Sequence, residues 1–335
     1  MAQLPLHSIR FSVRPLAPFR LDLTVWALRR RSMNAVDAWD GTTYCRVLAI
    51  RDKSMLVAVT QREKMLDVTV TATHIPPETK QTAICSLERL LGFREDLCEF
   101  YEFSSRDARL HELATRFRGF KPPRFATVFE ALVNGITCQQ LSLTAGIIFL
   151  NRLAERCGLR FDPGRYAFPR PVDLASLDPA DLRALGYSGS KARALIEAAQ
   201  SIGAGHLDLE ELDRLDNQQC VERLIALRGV GRWTAEYILL RGLRRISVFP
   251  GDDVGARNGL ERWLHLRTRL DYERTQKVLT KWRAYGGLIF LHLLLKGLDE
   301  AGDLGGTAAL DHRIAGAPGF THDIPSADHP VPEST

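Results

Sequence analysis

The sequence predicts an α+β protein, with an antiparallel-sheet domain followed by an all-helical domain. Three observations carry this. Apolar and polar residues alternate with period two through much of the first hundred positions, the spacing turns helical beyond about residue 106, and short Gly-, Pro- and Asp-bearing turns then separate the helices. In chain order, Leu21, Leu23, Val25 and Ala27 alternate with Asp22 and Thr24 and predict a strand. Tyr44–Ile50, Met55–Thr60 and Leu66–Thr73 predict three more. The paired Pro76 and Pro77 suit a helix start and lead into a helix over Glu78–Leu91. Farther on, Phe125, Phe129, Leu132, Val133 and Ile136 share a helical face, as do Ala192, Leu195, Ile196, Ala199 and Ile202, and Tyr285–Leu298 predicts a final helix. The domains are therefore expected at residues 1–106 and 107–298. Residues 299–335 are expected to form a disordered acidic tail, poor in large apolar groups.

A length of 335 residues suits two domains, and 45% hydrophobic with 25% charged residues excludes collagen-like, disulfide-scaffold and wholly disordered chains. The longest apolar stretch, Gly286–Leu298, is too short for a bilayer and carries His292 and Lys296. Pro5, His7 and Arg10 interrupt any signal-peptide pattern, so a cytoplasmic location is expected. The net charge is +5, but the tail holds seven acids and one base, leaving +11 on residues 1–298. Clustered, that surplus favours a polyanion; scattered, it is an ordinary solvated surface. The six cysteines form no C-x-x-C pair and are expected to be buried free thiols.

The sharpest motif is Leu227-Arg228-Gly229-Val230-Gly231-Arg232-Trp233-Thr234-Ala235. Cys220, Val221, Leu224 and Ile225 mark a helix before it, and Ala235, Ile238 and Leu239 mark one after it. Two glycines between helices permit positive φ and leave the amides open to a phosphate at the second helix's N-terminus. Arg232 can add to a phosphate contact. Trp233 and Tyr237 are spaced i, i+4 and can stack around a planar ligand. Adjacent Asp252 and Asp253 precede another helix, so one can cap it while the other faces a cleft.

These features together resemble the helix–hairpin–helix DNA glycosylase superfamily, and within it the 3-methyladenine DNA glycosylase II branch. The segment from Val128 to Ser142 resembles that family's helix and wedge, and the N-terminal sheet resembles its TATA-binding-protein-like lobe. The resemblance implies Asp253 as catalytic carboxylate and Trp233 and Tyr237 as base-pocket aromatics. It places Leu141 as the side chain entering the duplex, with Gln140 beside it, and Gly229, Gly231 and Arg232 on the DNA backbone. It also implies a monovalent cation, Na⁺ or K⁺, held by the main-chain carbonyls of Ile225, Leu227 and Gly229. Double-stranded DNA with damaged bases would be the partner, a monomer the acting form, and abasic-site repair enzymes the next users of the product.

Three departures from the family's patterns bear on the expectation. Strand-cutting members carry a nucleophilic lysine where this chain has Trp233, so a monofunctional glycosylase using water is expected. No cysteine follows Cys220, so the four-cysteine iron–sulfur cluster has no place. Where relatives have pocket aromatics on the last helix, an ungapped alignment places Leu291 and His292, with Leu291 lining the pocket and His292 a buried structural residue. Lys191 and Arg193 are expected on a solvated helix face or against phosphate. The expected reaction is excision of alkylated purines of the 3-methyladenine type. A glycosylase for oxidised or deaminated bases and a non-catalytic damaged-DNA-binding protein are the alternatives.

Overall fold

The protein is described by a computed structural model over residues 5–50 and 52–304. Of the tail expected to be disordered over residues 299–335, Asp299 and Glu300 instead end the last helix and residues 301–304 continue it as a turn, while residues 305–335 lie outside the described residues. The order is β1 (His7–Val13), α1 (Leu21–Arg29), β2 (Ala38–Trp39), β3 (Thr43–Ile50), β4 (Lys53–Arg62), β5 (Met65–Ala72), α2 (Thr79–Leu91), α3 (Cys98–Ser104) and α4 (Ala108–Arg116). There follow α5 (Val128–Cys138), α6 (Leu143–Cys157), β6 (Arg160–Asp162), β7 (Arg165–Tyr166), α7 (Pro171–Ala175), α8 (Pro179–Ala184) and α9 (Gly189–Gly203). The chain continues with α10 (Asn217–Ile225), α11 (Arg232–Arg241), α12 (Val254–Leu264), α13 (Tyr272–Leu279) and α14 (Gly286–Glu300). Among the described residues, no helix is long and apolar enough to cross a membrane.

The sheet is antiparallel throughout, in the order β1-β5-β4-β3-β2. Val57 on β4 lies opposite Val70 on β5, and the inward residues Val57, Val59, Leu66, Val68 and Val70 are almost fully buried. The predicted strands over 44–50, 55–60 and 66–73 are β3, β4 and β5. β1, built on Ile9, Phe11 and Val13, was not anticipated, nor was the small β6–β7 hairpin inside the helical part.

The strand expected over residues 21–27 is instead helix α1, and the reason is instructive. Leu21, Val25 and Leu28 pack into one core with the sheet, α2 and α5. Leu23, Trp26 and Ala27 pack into a second core with α3, α4, α12 and α14. A helix buried around its circumference shows no polar stripe, so its periodicity disappears and a false alternation emerges. The helix predicted from Phe125 starts at Val128, because the Thr127 side chain accepts from the Glu130 N–H and caps it. α3 and α4 flank residues 106–107, the expected domain boundary, and both pack into the second core. The thiols are free, but only Cys220 is fully buried, and Cys85 and Cys98 are exposed on helix faces.

Candidate active site

Where the two cores meet, a cleft of about 860 Å³ opens between the α5–α6 junction, α11, the start of α12 and α14. Its lining includes Gln140, Leu141, Gly231, Trp233, Tyr237 and Asp253, so six of the residues singled out from sequence converge.

The hairpin between α10 and α11 forms as expected. Gly229 sits at φ +75°, and a Cβ there would lie 2.9 Å from Ala194 Cβ, so both backbone and space call for glycine. Gly231 starts α11, and its extended backbone leaves the first-turn amides unbonded by any side-chain cap. The carbonyl of Leu227 accepts from Val230 N–H at 3.1 Å and that of Gly229 from Gln139 Nε2 at 2.7 Å. Each keeps its second lone pair.

Gln139, which sequence reasoning passed over, joins the two functional loops. Its Nε2 donates both to the Gly229 carbonyl and to Thr234 Oγ1, each at 2.7 Å. Gln140 follows at φ +53°, an unusual conformation for a side-chain-bearing residue, and turns the chain so that Leu141 stands 37% exposed at the cleft. Lys191 is neither solvated nor free for phosphate. Its ammonium donates to the carbonyls of Thr137 (2.9 Å) and Gln139 (2.7 Å), capping α5 beneath this turn.

Asp253 does both jobs that the sequence assigned to a pair. Its Oδ1 accepts from Ala256 N–H at 2.8 Å and caps α12, while Oδ2 accepts from Trp233 Nε1–H at 3.1 Å. Asp252 instead pairs with Arg232 at 2.8 Å, and the guanidinium carbon lies 3.5 Å from the Tyr272 ring centroid. The hydroxyl of Tyr272 donates to Glu236 Oε1 at 2.7 Å, and Glu236 Oε2 accepts from Gly251 N–H at 3.0 Å. Burial pushes the Glu236 carboxyl up from its ordinary range. This network fixes the turn that carries both aspartates, and it engages Arg232 with Asp252 rather than presenting it openly.

Trp233 and Tyr237 stack on each other, with centroids 5.4 Å apart and planes 23° from parallel. They do not form two jaws around a ligand, as the spacing led us to expect. Trp233 is the half-buried face and Tyr237 the buried backing, its hydroxyl accepting from Arg30 Nη1 at 2.7 Å.

The expectation for Leu291 is corrected. That side chain is fully buried in the second core, and the wall it was to supply is formed by Phe290, Leu293 and Leu294. One helical position turns a residue by about 100°, so a register error of one moves it from cleft to core. His292 is buried among Phe100, Phe117 and Phe120, with burial pulling its imidazole down to about 4. Arg30, Arg31 and Arg241 also line the cleft and went unnoticed in the sequence, the first two because they come from the far N-terminal part.

Residues 133–284 match the model of the HhH-GPD superfamily base excision DNA repair proteins. The chain is 28% identical to the DNA-3-methyladenine glycosylase of Bacillus subtilis over 57% of its own length and 64% of that protein's. In structure it matches the 3-methyladenine DNA glycosylase of Archaeoglobus fulgidus with a TM-score of 0.76 at 22% identity, over 87% of this chain and 98% of that one. It also matches the Schizosaccharomyces pombe 3-methyladenine DNA glycosylase in complex with abasic DNA (TM-score 0.51, 27% identity, 59% and 94% covered). The curated relatives are thus matched over somewhat less than two thirds of their length. Residues 133–284, a little under half of this chain, are thus similar to the HhH-GPD superfamily of base excision DNA repair proteins.

Proposed function

We propose that the protein is a monofunctional DNA glycosylase that extrudes alkylated purines of the 3-methyladenine type from duplex DNA and hydrolyses the N-glycosidic bond. One observation carries the reading. The Asp253 carboxylate is held by two N–H donors beside a stacked tryptophan–tyrosine pair, in a cleft that the exposed Leu141 also lines. The names of the relatives point the same way.

A base inside a duplex is out of reach, so extrusion comes first and costs a few kcal/mol of unstacking. Leu141, standing proud on the turn held by Gln139 and Lys191, fills the vacated space. The hairpin amides at Gly229 and Gly231 receive a backbone phosphate. The carbonyls of Ile225, Leu227 and Gly229 are the donors that would hold a monovalent cation there and add its charge to the phosphate contact. The extruded base lies against Trp233, whose electron-rich face attracts a cationic N-alkylpurine by roughly 0.5–2 kcal/mol.

As the bond between the sugar and the base stretches, its electron pair leaves with the base and positive charge builds on the sugar. Asp253 faces that charge and accepts the proton of the water that adds to the sugar carbon. Water is the nucleophile in this reading because no lysine lines the cleft among the described residues, and the ammonium of nearby Lys191 is bound to two carbonyls. The products are a free base and an abasic site for downstream repair enzymes.

The test is release of free bases from methylated duplex DNA by wild type and Asp253→Asn, with products resolved by chromatography. Release of 3-methyladenine by wild type alone supports the reading. A folded wild type that binds the duplex and releases nothing overturns it.

A further inference from the structure

Three of the bases around the hairpin and the wedge turn are already engaged. Arg232 is paired with Asp252 and Arg228 with Glu197, each at 2.8 Å, and the Lys191 ammonium donates to two main-chain carbonyls. Free positive charge lies instead at the far end of α12. There a hollow of about 580 Å³ is lined by Asn258, Glu261, Arg262, His265, Arg267 and Arg269, among others. Arg262 lines the cleft as well, so the two depressions share a wall.

The loop that closes the hollow is fixed by one acid. His265 ends α12 at φ +55°, the Leu266 N–H donates to the Glu261 carbonyl at 2.9 Å, and the Leu270 N–H donates to Glu261 Oε1 at 2.7 Å. Arg269 Nη1 donates to Asn258 Oδ1 at 2.9 Å and lies 3.3 Å from Glu261 Oε2. Glu261 therefore orders the loop and neutralises one of three arginines. Arg262 and Arg267 are exposed, and neither has a hydrogen-bond or ion-pair partner among the described residues. Elsewhere on the surface, exposed arginines such as Arg20, Arg106, Arg223 and Arg274 each sit beside a carboxylate.

We propose that this hollow is a second seat for the DNA backbone, in which Arg262 and Arg267 take phosphates of the strand that leaves the cleft along α12. The assignment rests on the cleft receiving duplex DNA, as proposed above. Guanidinium forks match phosphate oxygens two at a time, and a loop already ordered by Glu261 loses little freedom on binding. Nine residues separate Arg262 from Asp253, about 14 Å along a helix. With one phosphate per 3.4 Å of duplex axis on each strand, the seat lies roughly two to five nucleotides from the extruded one. Such a contact reads no base. A strand held at the hairpin and again at α12 cannot slide, which keeps the nucleotide between them over Asp253 while it turns out.

The test is a binding measurement, made without excision. Fluorescence anisotropy follows a duplex that extends a full turn on each side of an uncleavable abasic-site analogue, over a range of salt concentrations. The proteins are wild type, Arg262→Gln combined with Arg267→Gln, and Arg10→Gln, an exposed arginine on β1. The double variant should bind at least about tenfold more weakly, with a salt slope shallower by about two, while Arg10→Gln follows wild type. Neutral methylphosphonates are then placed at one phosphate at a time. Wild type should lose affinity at one or two positions within the stated window, and the double variant should be indifferent there. Unchanged affinity and slope in the double variant, an equal loss in Arg10→Gln, or no phosphate to which the double variant has become indifferent overturns the proposal. A loss confined to single-stranded RNA overturns it too. Release of 3-methyladenine from methylated duplex with an unchanged salt slope removes the second seat alone. The expected binding pattern with no base released keeps the seat and removes the glycosylase reading.

Discussion

Replacing Asp253 by asparagine separates its structural duties from its chemistry, because the two donors it satisfies demand two acceptors. The carboxylate takes Ala256 N–H at 2.8 Å on one oxygen and Trp233 Nε1–H at 3.1 Å on the other. An amide offers one acceptor oxygen and an NH₂. Whichever way it is turned, one partner is lost and an N–H faces an N–H, a cost of about 1–2 kcal/mol. Alanine loses both, the cap at about 1 kcal/mol and the charged bond to the indole at about 1.5–3 kcal/mol. Asparagine should therefore fold and alanine should be markedly weaker, by about 1–2 kcal/mol more, as read from urea midpoints. Excision should fall at least about 100-fold in both, because the negative charge facing the developing cation is gone. Single-turnover base release from a methylated duplex measures this apart from binding. If Asp253→Asn excises within about tenfold of wild type while Asp253→Ala is destabilised as calculated, Asp253 is a helix cap and no more, and the mechanism above is wrong.

Leu141→Ala removes an exposed side chain and should leave stability within about 0.5 kcal/mol. Its affinity for abasic duplex should drop roughly tenfold or more, since a leucine no longer fills the gap; unchanged binding in a duplex titration would remove its wedge role. Gly229→Val forces a β-branched residue to φ +75° and a Cβ to 2.9 Å from Ala194, so stability should fall by about 1–2 kcal/mol or more and duplex affinity with it. An unaltered melting temperature and titration would count against a hairpin held open for phosphate. Burial lowers the His292 imidazole from 6.5 to about 4, so its contribution to stability is complete above pH 6.5 and is lost as pH falls toward 4. Wild type should lose about 2 kcal/mol of this between pH 7.5 and 5, and His292→Phe, suited to its aromatic surroundings, should flatten that part of the pH profile. A pH profile shared by wild type and variant would show that the imidazole is not held neutral.

The parts of this protein legible in its sequence are those where a local rule is also the global one. β3, β4 and β5 are covered on one face, so alternation survives. The hairpin glycines are demanded by a backbone angle and a packing distance, and the i, i+4 spacing of Trp233 and Tyr237 fixed their shared face. Legibility failed where one segment serves two cores. α1 looked like a strand because Leu21 and Val25 point to one cluster and Leu23 and Ala27 to the other. It failed again on α14, where nearly every position is apolar and nothing local tells the cleft-facing Phe290 from the core-facing Leu291. Gln139 was passed over for a third reason. A glutamine beside a wedge has no pattern of its own, and its role exists only once the hairpin 90 residues away is placed against it.

Charge shows the limit most clearly. A surplus of +11 on residues 1–298 was weighed as either a DNA-binding face or scattered solvated residues. Part of it is neither. The buried bases are Arg29, Arg30, Arg46, Lys121 and Arg241, against the buried acids Asp37, Glu130 and Glu236, which leaves two positive charges inside the protein. Arg46 holds both Asp37 and Glu130, Arg29 is bonded to main-chain carbonyls, and Lys121 reaches the Glu95 carbonyl. Arg30 and Arg241 are left beside the cleft without a carboxylate partner. Burying an acid beside each of them would add a second desolvation cost, so a buried ion pair is no certain gain in stability. Arg29, Lys121, Arg30 and Arg241 are thus all buried charges held without a carboxylate hydrogen bond, so part of the surplus lies inside the fold and is not displayed as a DNA-binding face.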